Sequence, residues 1–314
     1  MPVQANQPLP DGHPLLNYRI LRLLASGGFS FVYLAQDENE TPVAIKEFLP
    51  STLALRTGEE PAPQVPAENL ATFRYGMKCF FEEGRALARL SHPNVVRVLN
   101  FFRANETVYL VMRYERGRTL QEHIVAHRNA LKESWIRRKF AALLNGLREV
   151  HSNKLLHLDI KPGNVYLRND GTPLLIDFGA ARQALSDDAA KLQPTYTPGF
   201  AAPEQHAGHE QLGPWSDVYS VGATLYACLA AAAPQAADRR LEKDQLVPAR
   251  RVWAGKYSAE LLDTVDWCVR LDHLERPQSV FTLQKALLGE SAPQRHGEAP
   301  MMDRLRGMLQ LKLK

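Results

Sequence analysis

The chain has 314 residues, enough to bury one large core or two lobes. Charged residues make up 23% of it and hydrophobic ones 45%, an ordinary globular balance that excludes wholesale disorder. The net charge of +4, from 38 basic against 34 acidic residues, is too small to suggest a nucleic-acid binder by itself.

Cys79, Cys228 and Cys268 are widely spaced and form no CxxC pair, which argues against a disulfide framework or a zinc site and for a reducing, cytoplasmic setting. The longest apolar run, 221–233, holds Gly and Thr and stops at Pro234, too short to cross a bilayer. The N-terminus has neither a basic n-region nor a hydrophobic stretch, so no secretion signal is expected.

In chain order, residues 1–14 are proline-rich and read as a flexible leader. "YRILRLLA", "FVYLAQ" and "PVAIKEF" are short, β-rich and separated by turn residues, which predicts an antiparallel meander. Residues 49–70, proline-rich again, read as a long loop of the kind that is usually functional or mobile. "FRYGMKCFFEEGRALARL" predicts a helix with Phe73, Met77, Phe80, Leu87 and Leu90 on one face. "VVRVLNFF" and "TVYLVMRY" complete a five-strand, one-helix unit, with Asn105-Glu106 as a polar hairpin turn.

From Glu115 onward the pattern turns helical. Ser134 reads as the N-cap of a helix whose apolar face is Ile136, Phe140, Leu143, Leu144, Leu147 and Val150. "NVYLRNDGTPLLIDFG" predicts a hairpin turning at Asp170-Gly171, and helices follow Pro214 to about Leu288. His123 and His127, four apart, read as an exposed helix face, since no third metal ligand accompanies them. The expectation is an α+β protein with a small β-rich lobe, a larger helical lobe and a crevice between them.

"LLHLDIKPGN" concentrates chemistry in that helical half. Asp159 and Asn164 lie five apart, and Asp177 ends a strand in "LLIDFGAAR". Phosphoryl transfer calls for one carboxylate to orient a hydroxyl and accept its proton, and for a carboxylate and an amide oxygen to hold magnesium. Lys161 supplies a cation for the moving phosphoryl group. Taken singly, each is equally a polar turn residue. On the strand "VAIK", Ala44 and Lys46 share a face, leaving room for a flat base with a cation near its phosphates. Glu83 on the following helix could pair with Lys46, although Glu82-Glu83 also suits a solvated face. Gly27 and Gly28 join two strands and could bring backbone amides near phosphates, or could simply make a turn.

Together "VAIK", "HLDIKPGN", "DFG", "APE", "SDVYSVG" and "ERP", in that order over residues 15–290, resemble the eukaryotic-like (Hanks-type) serine/threonine protein kinases, on a bacterial branch. The resemblance implies a bilobal protein-kinase fold with an N-lobe at 15–113 and a C-lobe at 114–290. It implies ATP and Mg2+ (or Mn2+) as cofactors and protein Ser/Thr hydroxyls as acceptors, autophosphorylation included.

By that resemblance Lys46 holds the α/β-phosphates and Glu83 positions it. Asp159 is the base, Lys161 contacts phosphate, and Asn164 and Asp177 ligate the metal. Met112 is the gatekeeper, and 113–115, with Tyr114 at its centre, is the hinge that meets adenine. Val32 and Ala44 flank the base. Ala25, Gly27 and Ser30 occupy the three places of the GxGxxG loop. Ala and Ser there predict looser phosphate cover, because neither takes positive φ cheaply. Glu204 is expected to pair with Arg276, Asp217 to anchor the catalytic loop, and Thr197 to sit near Asp159 and Lys161.

Ser186, Thr195, Tyr196 and Thr197 are candidate autophosphorylation sites. Leu158 stands where most family members carry the arginine that receives an activation-loop phosphate, so activity independent of that phosphate is expected. A weakly active or pseudokinase scaffold is the alternative reading. The tail 291–314 reads as an amphipathic basic helix, with residues 300–314 as a surface for a partner or an anionic membrane.

Overall fold

The computed structural model describes residues 6–58, 60–128, 130–178, 196–207 and 211–289. The first lobe is one antiparallel sheet of β1 (Pro14–Leu15), β2 (Tyr18–Ser26), β3 (Ser30–Gln36), β4 (Pro42–Phe48), β5 (Val98–Ala104) and β6 (Thr107–Arg113), in the order β1-β2-β3-β4-β6-β5. It has one strand more than the sequence suggested, because Pro14–Leu15 adds a two-residue edge. Asn105 and Glu106 both adopt positive φ, as the two-residue hairpin between β5 and β6 requires.

Helix α1 (Leu70–Leu87) starts three residues earlier than Phe73, led in by a 3-10 turn at Ala67–Asn69. Its Phe73, Phe80 and Leu87 are buried, and the first two rings pack 5.4 and 5.7 Å from Phe48 at the end of β4. Helix α1 is thereby fixed against the strand that carries Lys46.

The expectation of a loose leader is corrected over 6–14. Leu9 is buried, its amide donates to the Tyr33 hydroxyl, and Asn6 and Gln7 hydrogen-bond the backbone at Ala54 and Arg56. The cause is a buried charge cluster. Glu47 accepts from both guanidinium ends of Arg56 (2.6 and 2.8 Å) and from the hydroxyls of Tyr33 (2.7 Å) and Tyr109 (2.8 Å). Arg56 Nε donates to the Gln7 carbonyl, so the 49–58 stretch and the leader share one anchor. The 49–70 loop is thus pinned at Arg56 and closed by a Leu55–Gln64 bridge.

The second lobe holds a small sheet of β7 (Gly117–Thr119), β8 (Val165–Arg168) and β9 (Pro173–Leu175). Its helices are α2 (Leu120–Ala126), α3 (Glu133–Ser152), α4 (Pro203–Ala207), α5 (Pro214–Ala230), α6 (Ala237–Glu242), α7 (Ala249–Val252), α8 (Ala259–Cys268) and α9 (Val280–Leu288). Thr119 and Glu122 form a capping box on α2. Helix α3 begins at Glu133 with Lys132 as its N-cap, which corrects Ser134: the Glu133 carboxylate takes the amide and hydroxyl of Ser258 and ties α3 to α8. The α3 face from Ile136 to Val150 is buried as its periodicity predicts. Gly146 lets α3 approach the Asn94 backbone, whose carbonyl oxygen a Cβ would meet at 2.8 Å. Among the described residues no helix is long and apolar enough to cross a membrane.

Candidate active site

The loop after α3 is held from below by α5. Asp217, fully buried, accepts the amides of His157 (2.9 Å) and Leu158 (2.7 Å) and the His151 ring (2.7 Å). Burial alone would push its carboxyl up, but the hydrogen bonds from His151 and the His157 amide hold it below the ordinary carboxylate range. Leu158 takes φ +59°, a conformation costly for a leucine, and is fixed there by Asp217 on its N–H and Gln205 on its carbonyl (2.8 Å). The backbone is therefore turned by its partners, which sets the direction of the next side chain, Asp159.

His157 is buried without a charge partner strong enough to keep it protonated, so desolvation lowers its pKa. Its Nδ1 faces the Asp159 amide and its Nε2 the Ile176 carbonyl, so the neutral ring carries its proton on Nε2. The ring lies 4.3 Å from that of Phe178. His157 thus couples the turn that bears Asp159 to the segment that bears Asp177.

Asp159 gathers three groups. Lys161 Nζ donates to Oδ2 at 2.7 Å, Asn164 Nδ2 to the same oxygen at 2.8 Å, and the Thr197 hydroxyl to Oδ1 at 3.0 Å. Lys161 also reaches the Thr197 oxygen at 2.7 Å. Opposite, Lys46 Nζ meets Asp177 Oδ1 at 2.5 Å across 131 residues of chain, its side chain 9% exposed against 43% for the carboxylate. Lys46 also lies 5.7 Å above the Phe80 ring of α1. Glu83 sits one turn further along α1 and is buried.

On the β side, the Lys46 strand pairs Lys46 with Val32 and Ala44 with Met112. Residues 113–115 then leave β6 for the second lobe, and Glu115 is held by Arg168 at 2.9 Å. The expected conflict at Ala25 and Ser30 does not arise. Ala25 lies within β2 opposite Val32, Ser30 opens β3, and positive φ occurs at none of residues 25–30. Gly28 and Phe29 instead lend their carbonyls to the amides of Ser51 and Leu49, so the glycine turn leans on the 49–51 segment.

Ser186 and Thr195 lie outside the described residues, as does the tail from 290 on. Among groups to which the sequence assigned no role, His157 and Gln205 shape the Asp159 turn, and Glu47 with Arg56 steadies the strand of Lys46. Arg56 was legible only as one cation in a polar loop; only its burial reveals its role.

This geometry has counterparts. The protein kinase domain model matches residues 18–288. The chain belongs to the protein kinase family. This kinase is 29% identical over 300 residues to Serine/threonine-protein kinase C of Synechocystis sp., an alignment that spans 91% of this chain and 53% of the relative. It is 33% identical over 229 residues to CBL-interacting protein kinase 4 of Oryza sativa subsp. japonica, spanning 71% and 46% respectively. The kinase therefore spans about half the length of the curated relatives it matches.

Among solved structures it is similar to the PpkA-294 apo form, with TM-score 0.79 and 32% identity over 90% of this chain and all of that one. The Mycobacterium tuberculosis PknI kinase domain, at TM-score 0.68 and 22% identity over 90% of this chain and 99% of that one, shares the fold. The branch that the Synechocystis relative and the PpkA-294 structure support is the Hanks-type bacterial serine/threonine kinases. Glu204 and Arg276, distant in sequence, form a buried two-pronged pair at 2.8 and 2.9 Å that ties α4 to the segment ahead of α9.

Kinases use ATP with a divalent metal. The donor set here suits a hard cation: Asn164 spends its NH2 on Asp159, leaving its amide oxygen, and Asp177 presents a partly exposed carboxylate.

Proposed function

We propose that this chain transfers the γ-phosphate of ATP to serine or threonine hydroxyls of proteins, its own included. The observation that supports the reading is the pair of clusters that separate elements assemble, Asp159 with Lys161, Asn164 and a threonine hydroxyl, and Lys46 with Asp177. The pseudokinase alternative draws on Ala25, Ser30 and Leu158 alone, and none of the chemical groups is missing.

In this reading the acceptor hydroxyl donates to an Asp159 oxygen, in the manner of Thr197, and its oxygen attacks the γ-phosphorus. The new P–O bond forms as the bond to the β,γ-bridging oxygen breaks; ADP leaves with that electron pair and the hydroxyl proton passes to Asp159. Lys161 offsets charge on the phosphoryl oxygens, and Lys46, positioned by Glu83, holds the α/β-phosphates. Asn164 and Asp177 hold Mg2+ or Mn2+, which neutralises charge on the phosphate oxygens. Met112, residues 113–115 and the faces of Val32 and Ala44 enclose the adenine. Protein substrates, a cytoplasmic location and no use of nucleic acid complete the reading.

Incubation with labelled ATP and magnesium, wild type beside Asp159→Asn, tests it. Label on Ser and Thr is expected from the wild type alone, with loss of about 100-fold or more in the variant, the range for removal of a general base. Equal labelling of both would sink the proposal.

A further inference from the structure

Away from the cleft, β7, β8, α2 and α3 line a half-open pocket of about 370 Å3 whose walls include Arg118, His123, Trp135, Lys139, Arg168 and Gly171. Among the described residues its lining holds three cations and no carboxylate. Glu115 offsets Arg168 from behind and Asp170 stands near Lys139 and Arg168, so positive charge remains in excess. Arg118 is exposed and makes no ion pair with a described carboxylate. Lys139 gives one N–H to the Gly171 carbonyl and retains two.

Two polar atoms here lack partners. Arg168 uses its terminal nitrogens on the Pro93 carbonyl and Glu115, while its Nε is buried with no hydrogen bond. His123 Nδ1 is buried and likewise unpaired. Burial first, then the charges of His127, Arg118 and Lys139, hold His123 down at about 4. Its ring stacks 4.6 Å from that of Trp135, nearly parallel at 10°. The exposed helix face read from the spacing of His123 and His127 holds at His127, which is exposed, and is corrected at His123, which belongs to the wall of the pocket.

The Arg168 Nε and His123 Nδ1 are sealed, so a ligand in this space would meet the exposed Arg118 head, the remaining N–H groups of Lys139 and the terminal nitrogens of Arg168. Cations grouped on this lining select an anion, and guanidiniums fit phosphoryl oxygens. The space far exceeds that of a bare ion, given about 30 Å3 per water, and falls at the small end of metabolite pockets. We propose that this pocket binds a small phosphate ester, its phosphoryl group taken by Arg118, Lys139 and Arg168 and its organic part lying along Trp135 and His123.

The test is an NMR titration of the full chain with phenyl phosphate and, separately, inorganic phosphate, read at the Gly117 and Gly171 amides and the Trp135 indole. It requires no catalysis, so it stands apart from the kinase reading. Phenyl phosphate is expected to shift all three signals, to bind more tightly than phosphate, and to lose at least tenfold in affinity in Arg118→Glu but not in the distant Arg89→Glu. Silence at those signals, equal affinity for the two probes, or Arg118→Glu within twofold of wild type would overturn it.

Discussion

Asp217 holds the turn that bears Asp159 through the backbone alone. It satisfies two buried backbone amides, and each amide left unpaired costs about 1–3 kcal/mol. Asp217→Ala is expected to lower stability by at least that amount and kcat by tenfold or more, with nucleotide affinity little changed; denaturant melts and initial rates measure both, and full turnover would refute the anchoring role. Leu158, 1% exposed, offers no cation to an activation-loop phosphate. The Ser186→Ala, Thr195→Ala double variant should therefore keep turnover within a few-fold of wild type, and near-total loss in a phosphotransfer assay would show that a phosphate receptor exists elsewhere.

At the scale of elements, strand β4 presents opposite faces to two tasks. Lys46 faces the cleft, and its neighbour Glu47 faces inward to Arg56. Removing one member of a buried pair strands the other charge, at a cost of about 3–5 kcal/mol. Arg56→Ala should lower the melting temperature by several degrees and expose residues 6–14 to protease, because Arg56 also holds Gln7. An unchanged melt with an uncut N-terminus would show that the leader docks by other means.

For the molecule as a whole, burial depresses His157, His92, His13 and His206 below 6.5, and His123 to about 4. The unfolded chain then binds more protons than the folded one below the unfolded histidine pKa, so stability falls as pH drops from about 6.5. Asp217, depressed rather than raised, adds a further loss at more acid pH, as it protonates. Thermal melts from pH 7.5 to 5.0 should show a steady decline; a flat or rising curve would mean these rings are solvated.

Local pattern determined much. Strand alternation, helical periodicity and the Asp170-Gly171 turn are short-range properties, so β4, α3 and the β8–β9 hairpin were readable, as was the order of chemical residues. Asp170-Gly171 turns because a glycine at φ +80° costs nothing there, wherever the hairpin sits. What only the tertiary structure decided is partnership across sequence. Arg56 looks like loop charge until Glu47 is seen beneath it, His123 looks like solvated surface until Trp135 covers it, and residues 6–14 look loose until Tyr33 and Arg56 receive them. The physical reason is that desolvation, which makes a buried charge or ring expensive and therefore paired, depends on what the rest of the chain brings within a few ångströms, and spacing along the sequence carries no record of that.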